Sequence, residues 1–174
     1  MELSDHGHAV FGALLISGLF QTEAYSRAVL GGMGDRNLDE LVARRLERQA
    51  ILARDNPPHV THTIDERVLR YVIGSRDTQR EQLQALLEAS EQPNITINVV
   101  PDGRGYYPGL AGGFTLLGFD DGAQAVYTES AGAGMLIEQP SRVADYVIRF
   151  DLIRARALPI EESRTLIRTA RDEV

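Results

Sequence analysis

Two short apolar runs with a helix between them constrain this chain more than any other feature. From His59 to Ile64 the residues alternate, with Val60, His62 and Ile64 on one face and His59, Thr61 and Thr63 on the other, as in a half-buried strand. Ile95 to Val100 is rich in β-branched residues and bounded by Pro93 and Pro101, which predicts a central strand. Between them Ser75 or Asp77 caps a helix that runs to Ser90 with Leu83, Leu86 and Leu87 inward. Two strands joined through a helix pair in parallel by a crossover, so part of the sheet is parallel.

The remaining elements fill in around that unit. Ala9 to Phe20 reads as a buried strand bent at Ser17-Gly18, followed by a helix from Thr22 to Leu30 ended by Gly31-Gly32. Asn37 caps a longer helix, Leu38 to Ala53, whose stripe is Leu41, Val42, Leu46, Ala50 and Ile51. Arg44, Arg45, Glu47 and Arg48 take its wet side. Asp65 to Ile73 is ambiguous, with a helical turn placing Glu66 and Arg70 four apart. Pro101 to Gly113 holds glycines, prolines and the pair Tyr106-Tyr107 without periodicity, which makes it a loop. Phe114 to Phe119, Ala125 to Ser130 and Met135 to Glu138 form an antiparallel meander, turned at Asp120-Asp121-Gly122 and at Ala131 to Gly134. Pro140-Ser141 opens a helix to about Leu158, and Pro159 opens the last one at its first position. The expected fold is therefore α+β: a mixed sheet of about six short strands, one β-α-β crossover plus the meander, flanked by about five helices. With no repeat or linker, residues 1–174 read as a single domain without a DNA-binding module.

Charge and cysteine content narrow the function classes. The net charge of -7 opposes attraction to phosphate backbones, so nucleic acid is not an expected partner of this chain by itself. Without cysteine, disulfides, thiolate metal sites and cysteine nucleophiles are excluded, and a reducing, cytoplasmic setting is expected. The apolar stretch from Ala9 to Phe20 is too short for a membrane span and is preceded by Glu2 and Asp5 rather than by a basic leader region. All basic residues are arginine. Codon usage explains that as readily as anion recognition does, and composition does not separate the two.

Candidate chemistry is sparse. His6, His8, His59 and His62 are the only histidines, and their spacing does not form a metal set, so no metal and no cofactor are expected. His62, on the apolar side of its strand, is either a buried general base or a satisfied core histidine. Asp65, Glu66, Glu129 and Glu138 stand at strand ends, where desolvation can suit a carboxylate to proton transfer or where it is simply solvated. The glycine-rich loop leads into a strand rather than a helix, so it is no phosphate cradle. Tyr106 and Tyr107 read instead as an aromatic lid over an apolar ligand, with Phe114, Tyr127 and Glu129 as further ligand contacts. If the chain is an enzyme, His62, Glu66, Tyr106 and Tyr107 are its catalytic candidates.

Several strings carry a resemblance: Leu14–Leu30 (LLISGLFQTEAYSRAVL), Arg44–Leu52 (RRLERQAIL), Asp65–Leu69 (DERVL), Asn94–Pro101 (NITINVVP) and Gly112–Leu117 (GGFTLL). Together they resemble the C-terminal domain, described as antitoxin-like and of unknown function, of actinobacterial helix-turn-helix regulators of the xenobiotic-response-element family. Ser17 departs from that pattern at a position where proline is expected. The resemblance supplies no catalytic residue. It implies a regulator effector domain standing without its helix-turn-helix, holding a small apolar or polyketide-like molecule in an enclosed pocket. Two other readings follow: a repurposed cofactor-free cyclase or isomerase of secondary metabolism, and an antitoxin-like module acting through a small protein partner or as a homodimer.

Overall fold

The computed structural model describes residues 7–32, 34, 37–103, 105–119, 121–130 and 133–174. His6, Asp120 and the Ala131-Gly132 pair lie outside the described residues. The strands are β1 (His8–Gly12), β2 (Val60–Asp65), β3 (Ile95–Val100), β4 (Phe114–Gly118), β5 (Gln124–Ser130) and β6 (Ala133–Ile137). The helices are α1 (Glu23–Gly31), α2 (Leu38–Gln49), α3 (Glu66–Arg70), α4 (Arg76–Ala89), α5 (Pro140–Arg154) and α6 (Ile160–Glu173). One mixed sheet runs in the order β3-β2-β1-β4-β5-β6. The first three strands are parallel, β1 meets β4 antiparallel, and β4, β5 and β6 form the meander.

The sheet separates two apolar layers. Val10, Ile64 and Ile97 join Tyr25 of α1, Leu83 and Leu86 of α4 and Ile167 of α6 on one face. Phe11, Phe114, Val126 and Ile137 join Val143, Phe150 and Ile153 of α5 on the other. That inversion between neighbours such as Val10 and Phe11 follows from the two-residue period of a strand. Capping fixes where three helices start: Thr22, Asp65 and Ser75 each accept a backbone N–H of the first turn through the side chain.

Four expectations change. There are two parallel crossovers, since α1 and α2 link β1 to β2 just as α3 and α4 link β2 to β3. The first strand ends at Gly12, and the chain then folds back so closely that a Cβ there would lie 2.7 Å from the Leu15 carbonyl oxygen. Pro159 is the cap of α6 rather than its first residue. The β-branched strand β3 is an edge, not a centre. Its outer side is nevertheless blocked at Val99, whose N–H donates to Ser163 Oγ at 3.0 Å and whose carbonyl accepts the Leu158 N–H at 2.8 Å. Those two bonds satisfy the outward backbone groups of Val99, at a point where a further strand would otherwise pair.

Candidate functional site

The parallel strands end together, and that edge gathers several of the expected residues. Asp65 closes β2, Glu66 opens α3, and the loop after β3 returns Tyr107 to them. The Tyr107 phenol donates to Asp65 Oδ2. Asp65 Oδ1 also accepts the Arg67 backbone N–H at 3.0 Å and Arg67 Nε at 2.8 Å, while Oδ2 accepts Arg67 Nη2 at 2.7 Å. Burial pushes the Asp65 carboxyl up, and the bonds from Arg67 and Tyr107 outweigh it, so it stays below its ordinary value. Burial, and then the Asp65 carboxylate, push the Tyr107 phenol above its ordinary value. Glu66 accepts Arg70 Nη2 at 2.9 Å and the Asp102 backbone N–H at 2.9 Å, which fastens the other end of the same loop.

This arrangement is a latch rather than a lid. Tyr107 is 5% exposed and packs edge-on against Phe11, with ring centroids 6.2 Å apart, whereas Tyr106 is 79% exposed. Gly109 permits the closeness, since a Cβ there would sit 2.3 Å from the Tyr107 ring and 2.5 Å from Phe11. The paired-lid expectation therefore divides, one tyrosine serving the interior and the other facing outward.

His62 lies on the opposite face of the sheet from Tyr107 and Asp65, because it is out of phase with Asp65 along β2. Its ring stacks on Phe20 at 5.2 Å. Nε2 accepts the Ser17 N–H at 3.3 Å and Nδ1 faces the Val10 carbonyl at 3.4 Å. Those partners fit the neutral tautomer with its proton on Nδ1. Burial pulls the imidazole down to about 4, against the weaker pull of Val10 in the other direction. With both nitrogens engaged, His62 fits the core-histidine alternative.

The other ligand candidates also divide between faces. Phe114 is buried against Phe11, Tyr146 and Phe150 in the layer under α5. Tyr127 and Glu129 point to the other side of the meander and are exposed. The Tyr127 hydroxyl lies where a Cβ on Gly134 would be 2.2 Å away, so this ring rests on the bare backbone of β6. Among the described residues no three histidines or carboxylates gather to hold a metal ion. No described helix is long and apolar enough to cross a membrane.

Sequence reasoning missed an inward-turned cation with an unpartnered nitrogen. Arg45, placed on the wet side of α2, instead turns into the molecule beside Gly18. Nη1 donates to Gln21 Oε1 at 2.6 Å, and Nε is buried without an acceptor. It borders a hollow of about 500 Å3 between α1 and α2, lined by Leu30, Leu41, Arg44, Glu47 and Arg48 as well. A second hollow, of about 420 Å3, lies along α6 from Leu158 to Thr169, and neither reaches Tyr107. The signal in the sequence was the spacing: Leu41, Arg44, Arg45 and Arg48 stand at helical intervals on one face, where like charges repel.

Taken together, a mixed sheet between helical layers, a latched loop at the strand ends and a hollow bordered by arginines define an α+β domain. The chain belongs to the family described as a domain of unknown function (DUF5753), which matches residues 6–169. No curated protein and no solved structure matches it significantly.

Proposed function

We propose that this chain is a small-molecule-binding domain of the kind that a regulator carries to sense an effector, with the ligand taken in the hollow between α1 and α2. The observation that carries the reading is the lining of that hollow. Leu30 and Leu41 supply apolar surface, and Arg44, Arg45, Glu47 and Arg48 rim an open groove of about 500 Å3, an arrangement that offers both apolar and charged contacts to a small organic ligand. The region beneath Tyr106 and Tyr107 is a weaker candidate, since Tyr107, Phe11 and Phe114 already fill it. A cyclase or isomerase of secondary metabolism would need a base and an acid facing one substrate. His62 and Tyr107 stand on opposite faces of the sheet with their polar atoms engaged, which favours binding over catalysis. The test is a thermal-shift and calorimetric screen of the purified chain against small amphiphiles, repeated on Leu41→Asp. Binding that the substitution abolishes supports the reading, and a screen without any binder overturns it.

A protein-contact reading has its own support. Among the described residues β6 carries no strand on its outer side, and Met135 and Leu136 on it are 49% and 44% exposed. Sedimentation velocity on the wild type and on Leu136→Lys tests this. Self-association present in the first and lost in the second supports an edge-to-edge dimer, and a monomer at all concentrations removes it.

A further inference from the structure

Resting on the ligand-binding reading, we infer that the hollow between α1 and α2 takes an amphipathic anion, its carboxylate or phosphate head against Arg45 and Arg48 and its apolar body over Leu30 and Leu41.

Three arginines face this hollow, and they differ in what they already hold. Arg44 is committed to Glu40, with Nη2 and Oε1 2.6 Å apart. Arg48 forms no ion pair among the described residues. Arg45 reaches only a neutral amide oxygen, and its buried Nε has no acceptor. Glu47 is the acidic member of the lining, and Glu129 attracts Arg45 only from beyond ion-pair distance. Arg45 is half-buried, its Nε against Gly18, and holding its charge there without a carboxylate is costly, a cost to which a neighbouring cation adds. Burial and then Arg48 pull the Arg45 guanidinium below its ordinary value, and Glu129 pulls more weakly the other way.

The side chain is also held in place. Gln21 Nε2 donates to the Ile16 carbonyl at 2.7 Å, which turns the Gln21 amide oxygen toward Arg45. The Ser26 hydroxyl donates to that same oxygen at 3.2 Å. Gln49 Nε2 donates to the carbonyls of Gly18 and Gln21 at 2.8 and 2.7 Å, locking the backbone on which the guanidinium lies. Such scaffolding removes part of the ordering cost of binding, and arginine's planar fork suits a carboxylate or phosphate head.

The experiment titrates the full chain by calorimetry with octanoate, octyl phosphate, octanol and inorganic phosphate. Both amphiphilic anions should bind, with octanol and inorganic phosphate weaker by at least about tenfold, the worth of one charge-assisted hydrogen bond. Arg45→Gln should weaken both anions by at least about tenfold and leave octanol unchanged, and Arg48→Gln should weaken them about threefold. The tighter of the two anions identifies the head group. Arg48→Gln alters an exposed side chain, so it keeps the test valid if Arg45→Gln does not fold. Octanol binding as tightly as octanoate would overturn the anion inference while leaving the hollow as a ligand site. Unchanged octanoate affinity in both arginine variants would do the same. Absence of binding by all four compounds would overturn both readings.

Discussion

The contrast between Tyr106 and Tyr107 shows how much a single position decides. Adjacent in sequence, one faces water and the other ties the long loop to Asp65 at the end of β2. Tyr107→Phe should cost about 1–3 kcal/mol, because Asp65 loses a buried donor, and amide exchange should rise across the loop from Pro101 to Gly113. Tyr106→Phe should be neutral in the same measurements. His62 sets a pH window by the opposite logic. Its folded-state value of about 4 lies below the ordinary 6.5, so between those values the unfolded chain binds the proton and the folded chain does not. Stability should be full above the ordinary value and fall as pH drops through the window, by roughly 3 kcal/mol from this residue. Urea denaturation at stepped pH checks it, and His62→Phe should flatten that interval. Asp65, depressed rather than raised, should add a further loss at still lower pH as its carboxylate protonates. In the sequence His62 was visibly on an apolar face, but Phe20 and the Ser17 N–H, which settle its role, arrive through the fold-back after Gly12.

Among the elements, β3 teaches most about what a pattern conveys. Its β-branched residues signal burial, and burial alone predicts a central place in the sheet. The strand is instead an edge shielded by Leu158 and Ser163, which sit about 60 residues further along the chain, beyond any local pattern. Ser163→Ala should strand the Val99 N–H and cost about 1–3 kcal/mol, measured by chemical denaturation. For α2 the hydrophobic stripe was legible, but the inward turn of Arg45 was not, because Gln21 and Gln49 build its seat from opposite sides of the α1–α2 unit. Arg48→Gln should remove the like-charge repulsion with Arg44 and Arg45 without placing a carboxylate in the last turn of α2, where the helix dipole disfavours it. The gain is about 0.3–0.5 kcal/mol per pair, so the melting temperature should rise by about 1–2 °C without ligand. A gain in stability there would mean that the arginine face is retained for something other than folding.

At the scale of the whole molecule, the sheet with its parallel half and its meander was legible because each strand carries its own period and each turn its own glycine or proline. The first crossover is not legible because the run from Ala9 to Phe20 reads as one long strand, which hides that α1 and α2 return the chain beside β1. The candidate site was only half legible. Of the strand-end carboxylates, Asp65 and Glu66 share one edge with Tyr107 while Glu129 lies exposed on the meander, and which groups remain available depends on contacts across 40 or more positions, as in the Tyr107 to Asp65 bond with its separation of 42. The sheet's two margins differ, one tied at Val99 to Leu158 and Ser163 and the other, among the described residues, without a strand beyond β6. Any union of copies through strand pairing at β6 would consume that margin of each and leave only the tied ones outward, so growth would halt at a closed pair instead of running on into a fibre.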